Sequence, residues 1–218
     1  MRSGPLMGLL LVTLVVSFAQ AIDTAQMQRV LTERFGDDRI PVFEQWRRLV
    51  ANAQQVAESK KLELVNDFFN RHTRFSDDPI IWKQPDYWAT PVETIGRAAG
   101  DCEDFSVAKY FTLRELGVPA ERLRLTYVRA RIGGGSSPVT QAHMVVSYYP
   151  TPNSEPLVLD NLVGSIRLAS KRPDFAPVFS FNMDSIYVGG RKKSATPMAR
   201  LSRWRDLLLR VKAEGYEP

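Results

Sequence analysis

The spacing of hydrophobic positions changes character midway along the chain. Thr24 to Phe35 reads as a helix capped by Asp23 or Thr24. Val42 to Phe69 reads as a longer helical stretch, with Phe43, Trp46, Leu49, Val50, Leu62, Leu64, Val65 and Phe68 at roughly helical spacing. Arg71 to Pro91 is irregular, punctuated by Asp77-Asp78-Pro79 and Lys83-Gln84-Pro85, and carries the aromatics Trp82, Tyr87 and Trp88. Thr90-Pro91-Val92-Glu93 is a helix start: Thr90 at the cap, Pro91 in the first turn and Glu93 closing a capping box. That short helix is expected to end at Gly100. Asp101 then caps an apolar helix that Gly117-Val118-Pro119 stops.

Beyond this point the period shortens to two. Leu123 to Ile132 predicts a strand with Leu123, Leu125 and Tyr127 on one face. In Ala142 to Tyr149, His143, Val145, Ser147 and Tyr149 share one face, and Met144, Val146 and Tyr148 the other. Gly133 to Pro138 is a flexible loop between them. Leu157 to Asp160 is a short strand. Phe179 to Phe181 and Ile186 to Val188 are expected at the sheet edges, and Leu201 to Val211 is a closing helix. Helices first and antiparallel strands second predict an α+β domain, with no internal repeat and no linker dividing it.

The N-terminus stands apart. Arg2 precedes an apolar run, Leu6 to Phe18, followed by the small-x-small site Ala19-Gln20-Ala21. The run is shorter than the roughly 18 apolar residues of a membrane span, so residues 1–21 read as a cleaved secretory signal and 22–218 as one exported, periplasmic domain. The formal net charge of +5 is modest and scattered apart from Arg191-Lys192-Lys193, read as a solvated loop after Gly189-Gly190. Nucleic-acid binding is therefore weakly supported.

Export gives meaning to the single cysteine, which has no partner for an intramolecular disulfide. Cys102 sits in Gly100-Asp101-Cys102-Glu103-Asp104-Phe105, at the predicted start of a helix. There the backbone N–H groups and partial positive charge favour a thiolate and a developing oxyanion. Downstream lie His143, able to take the thiol proton, and Asp160, able to fix the imidazole tautomer. Alone, a histidine in an apolar strand is equally a packed core residue; the company of Cys102 and Asp160 in that order favours a nucleophilic site. Asp101, Glu103 and Asp104 oppose a thiolate electrostatically unless a cation neutralises them. All-oxygen ligands point to Ca²⁺ rather than Zn²⁺ or Mg²⁺. The same acids also serve as plain first-turn helix charges.

Together, Asp86-Tyr87-Trp88-Ala89-Thr90-Pro91, Gly100 to Phe105, Gln141-Ala142-His143-Met144-Val145 and Leu159-Asp160-Asn161 resemble the bacterial transglutaminase-like cysteine proteinases, in order and over nearly the whole chain after residue 21. The resemblance implies a papain-like or transglutaminase-like fold, with the nucleophile at the start of a central helix packed on an antiparallel sheet. It implies a Cys102-His143-Asp160 triad and Ca²⁺-dependent proteolysis with Asp101, Glu103 and Asp104 as ligands. It implies a substrate, the N-terminal region of a large repeat-rich surface adhesin, whose release disperses a biofilm. It also implies sequestration by a LapD-type inner-membrane cyclic-di-GMP receptor, with Trp88 as a contact. The alternatives left open by the residues are a transglutaminase, which passes the same thioester to an amine, and a non-catalytic Ca²⁺-dependent binding module.

Overall fold

The computed structural model describes residues 22–133, 137–194 and 196–216. The signal segment expected over 1–21 and the centre of the Gly133–Pro138 loop lie outside them. Among the described residues eight α-helices run in chain order: α1 Thr24–Phe35, α2 Ile40–Asn52, α3 Glu58–His72, α4 Asp78–Ile81, α5 Pro91–Arg97, α6 Cys102–Glu115, α7 Pro197–Arg200 and α8 Ser202–Ala213. The strands are β1 Arg74–Phe75, β2 Ala99–Gly100, β3 Leu123–Arg131, β4 Thr140–Tyr148, β5 Leu157–Leu159, β6 Arg167–Leu168, β7 Phe175–Phe181, β8 Ile186–Val188 and β9 Arg191–Ser194. Among the described residues no helix is long and apolar enough to cross a membrane.

The seven strands β3 to β9 form one sheet in the order β6-β5-β4-β3-β7-β8-β9, with every pairing antiparallel. Helix α6 lies between this sheet and α3. It is buried from Asp104 to Leu113 on all sides, as a helix at the centre of a fold must be. The sheet face carrying Leu123, Leu125, Met144, Val146 and Leu159 packs on it, continuous with Trp46, Phe69, Phe111 and Trp204. On the other face, Val128, Val145 and Val158 form a smaller apolar cluster under Phe175. The even period of β4 therefore sends Met144 into the main core and His143 away from it.

Several expectations are corrected. The long helical stretch is two helices, because the chain leaves helical geometry after Asn52 and re-enters at Glu58. The capping-box helix ends at Arg97, with Ala98 in the left-handed region. Ala99 and Gly100 then pair with Arg74 and Phe75 in a short parallel ladder. Strand β7 is not an edge: it begins at Phe175 and lies between β3 and β8. Arg191-Lys192-Lys193, expected in a loop, forms the true edge strand β9. Its charged side chains stay exposed, which suits an edge that should not recruit further strands.

Candidate active site

The capping box is fully formed: Thr90 Oγ1 accepts from the Glu93 N–H, and Glu93 Oε2 accepts from the Thr90 N–H. Glu93, wholly buried, also pairs with Arg34 of α1 and Arg210 of α8 and accepts from Tyr87 Oη. This knot fixes the aromatic loop that leads to the thiol. After α5 the β2 residues bring the chain to Asp101 at the cap position of α6, but its side chain makes no capping bond. It joins a group of acids instead, which corrects the capping role expected for it.

That group is larger than the motif. Asp78 from α4 and Asp86 from the aromatic loop extend it in overlapping groups: carboxylate oxygens of Asp78, Asp101 and Asp104 lie close enough to share a metal ion, as do those of Asp78, Asp86 and Glu103, while Asp101 and Glu103 meet beside Cys102. Asp104 Oδ1 accepts from the Ala89 N–H at 2.7 Å, and Asp78 Oδ2 accepts from the Tyr87 N–H. Yet Asp78 Oδ1, Asp86 Oδ1, Asp101 Oδ1 and Asp104 Oδ2 are buried without any hydrogen-bond partner. Buried polar atoms are ordinarily satisfied, so these acid oxygens suit a bound cation, although the other Asp86 oxygen already pairs with Arg203 at 2.9 Å. Burial, then repulsion by neighbouring acids, pushes the Asp101 carboxyl up to about 10. Burial pushes Asp78 to about 6 and Asp104 well above the usual range. Gly100 makes the convergence possible: a Cβ there would stand 2.6 Å from Asp104 Cβ. The donor set is all oxygen and anionic, and fits a hard divalent cation.

Cys102 stands against this cluster at the first position of α6. Its thiol donates to Glu103 Oε2 at 2.8 Å. Burial, then the charge and hydrogen bond of Glu103, raise the thiol's pKa, while a backbone hydrogen bond from Met144 acts in the opposite sense. Ser106 Oγ of α6 donates to the Met144 carbonyl at 3.0 Å. The helix start is thus tied to the strand residue next to His143.

His143 is 5% exposed, and its Nε2 lies 2.8 Å from Asp160 Oδ1. Burial alone would raise the Asp160 carboxyl. The His143 contact, the Leu162 N–H and Arg172 outweigh that and hold it at about 2. An ionised carboxylate only accepts, so the network puts a proton on Nε2 and turns Nδ1 away from Asp160. The structure therefore brings His143 and Asp160 into direct contact. Cys102 is joined to them through Met144 and has Glu103 as its own side-chain partner.

Trp88 is placed differently from expectation. It is 4% exposed, stacked on Phe181 at 5.9 Å and near Tyr127 at 6.2 Å, because the aromatic loop folds down onto the sheet. Its ring belongs to the core and offers no surface to a partner in this conformation. Sequence reasoning missed Asp78 and Asp86, although Asp77-Asp78-Pro79 and Asp86 stand in the irregular stretch just before the motif. It also missed Arg172 and Lys109, which hold Asp160.

The family model of the bacterial transglutaminase-like cysteine proteinases matches residues 44–174, which span the acids, the thiol, His143, Asp160 and Arg172. The chain belongs to this family. Among solved structures it is similar to LapG of Legionella pneumophila, with 39% identity over 88% of this chain and 99% of that one, at a TM-score of 0.74. The calcium-bound form of that protein matches at 39% identity over 87% and 99%, TM-score 0.73. The EGTA-treated form matches at 38% over 88% and 100%, TM-score 0.74. None of the curated proteins matches the chain.

Proposed function

We propose that this protein is a calcium-dependent cysteine endopeptidase of the periplasm with a Cys102-His143-Asp160 triad. The observation that carries it is the buried acid cluster with orphan oxygens set directly against the single thiol. A calcium-bound relative of 39% identity supports the choice of ion. Asp78, Asp101, Glu103 and Asp104, with Asp86 at the margin, would hold the Ca²⁺. When bound, the ion supplies the counter-charge that lets these acids and a neighbouring thiolate coexist.

The chain's own groups account for the chemistry. His143 Nδ1 takes the Cys102 proton as the sulfur attacks the scissile carbonyl, and the carbonyl π pair moves onto oxygen. The N–H groups of the first turn of α6 would receive that oxyanion. The imidazolium then returns its proton to the departing amine as the C–N bond breaks and a thioester forms. Water, deprotonated by the same imidazole, hydrolyses the thioester and regenerates the thiol. Asp160 keeps Nε2–H pointed away from the thiol throughout.

The resemblance supports the rest: a substrate in the N-terminal region of a large surface adhesin, whose cleavage disperses a biofilm, and restraint by a LapD-type cyclic-di-GMP receptor. Trp88 is the contact that the resemblance implies, and its ring is buried in this conformation. The test is digestion of an N-terminal adhesin fragment by wild type and Cys102→Ala, with Ca²⁺ or a chelator, with and without an added primary amine. Two fragments formed only by wild type with Ca²⁺ are expected. Amine-linked product in place of hydrolysis would make it a transglutaminase, and equal cleavage by Cys102→Ala would overturn the nucleophile.

A further inference from the structure

Arg172 is a charged side chain only 4% exposed, and nothing in its loop-like neighbourhood, Lys171-Arg172-Pro173-Asp174, would suggest burial. Its Nη1 donates to Asp160 Oδ2 at 2.7 Å, the oxygen that His143 does not use. Its Nε and Nη2 donate to Asp174 at 3.1 and 2.8 Å, so the guanidinium is held in a two-carboxylate vise. Its Cζ also lies 3.7 Å from the centroid of the Phe175 ring, and that ring packs against the His143 imidazole with centroids 5.6 Å apart. One residue therefore reaches the site by two routes: through the carboxylate to Nε2, and through an aromatic wall to the ring face.

We infer that Arg172 is a fourth, positioning member of the site, which fixes the rotation of the Asp160 carboxylate and so the tautomer and placement of His143. The inference rests on the triad reading above. A carboxylate with one free oxygen can pivot about its Cβ–Cγ bond and offer either oxygen to the imidazole. With Arg172 on Oδ2 and His143 and the Leu162 N–H on Oδ1, neither oxygen is spare. Asp160's backbone carbonyl is held separately, by Asn70 Nδ2 at 2.9 Å and Lys109 Nζ at 3.1 Å. The side chain, not the backbone, is thus what Arg172 controls. Planar, permanently charged guanidinium suits this task; an ammonium presents no fork and can satisfy Asp160 or Asp174 but holds neither in plane. The charged groups around the pair are Arg172 and Asp174 from the segment leading into β7, and Lys109 from α6 with Asp67 of α3 behind it.

The experiment compares wild type, Arg172→Gln, Arg172→Lys and Asp160→Asn in the mature full chain. Imidazole ¹⁵N shifts are recorded where the rings are neutral, alongside kcat and KM. Only two histidines need assignment, and His72→Gln separates them. Wild type should show one Nε2–H tautomer for His143. Arg172→Gln should show both tautomers, a kcat lower by roughly 10–100-fold and a KM within about threefold. Arg172→Lys should recover part of each. A folded Arg172→Gln with wild-type kcat and a single tautomer overturns the inference. Should Arg172→Gln fail to fold, Arg172→Lys decides, and wild-type values for it in both readouts overturn the inference equally. Asp160→Asn separates the two levels. If it too leaves tautomer and activity intact, the triad itself is wrong; if it disturbs both and Arg172→Gln disturbs neither, only the role of Arg172 falls.

Discussion

Removing calcium should cost this protein stability as well as activity, by an amount the acid cluster sets. Four buried carboxylate oxygens lack partners, and an unmade hydrogen bond at a buried group costs roughly 1–3 kcal/mol. A cation that satisfies them therefore binds the folded chain alone. At a free concentration of a thousand times its dissociation constant it adds about 4 kcal/mol. For a domain of this size each kcal/mol moves the melting temperature by roughly 2–4 °C, so saturation should raise it by roughly 8–16 °C over the chelated protein. The increment should also grow with pH. Burial raises Asp78 to about 6 and Asp101 to about 10 without metal, so the metal-free fold holds protons that the unfolded chain has released. Its stability then falls as pH rises from the ordinary carboxylate range through about 6 and on towards 10. Calcium must displace those protons and binds more weakly in acid. Differential scanning fluorimetry with Ca²⁺ or EGTA at pH 5.5 and pH 8 reads both effects. Equal melting temperatures with and without calcium at pH 8 would refute the cluster as a metal site. An increment larger at pH 5.5 than at pH 8 would refute the electrostatic reasoning.

Three further outcomes follow from particular residues. Asp160→Asn should lower kcat by roughly 10²–10⁴-fold, measured by steady-state proteolysis, because the amide no longer enforces the Nε2–H tautomer. Gly100→Ala should weaken calcium binding in titration calorimetry by at least tenfold, since the new Cβ displaces Asp104; unchanged affinity would remove Asp104 from the site. Lys109 is buried with its pKa lowered to about 7, so between about pH 7 and its unfolded value the unfolded chain binds the extra proton and wild-type stability rises with pH. The stability deficit of Lys109→Met should therefore widen over that window in chemical denaturation, and a deficit independent of pH would show that the ammonium stays charged.

The parts of this fold that obey local rules were readable in advance. The Thr90-Glu93 capping box, the helix Thr24–Phe35 and the alternation of Met144 and His143 across β4 need only nearest neighbours to be inferred, and each is present. The break between α2 and α3 was hidden because residues 53–57 contain no glycine or proline to announce it. The placement of β7 inside the sheet depends on pairing with β3 some fifty residues earlier, which no periodicity encodes. The site divides the same way. Asp101, Glu103 and Asp104 announce themselves by adjacency to the thiol. Asp78, Asp86 and Arg172 lie outside the motifs and acquire meaning only when tertiary structure brings the two acids to the cluster beside the thiol and Arg172 to Asp160. Trp88 shows the opposite difficulty, because an aromatic on a loop looks exposed until the loop is seen folded onto Phe181.

The most direct test of the central claim is intact-mass spectrometry of the mature protein, acid-quenched during turnover of an adhesin-derived fragment in calcium. The account predicts a transient acyl adduct on Cys102, the single cysteine, with a mass equal to the N-terminal fragment less one water. It should be absent with EGTA and absent in Cys102→Ala. Cleavage that proceeds at the wild-type rate in Cys102→Ala, or adduct formation undiminished by EGTA, would contradict it.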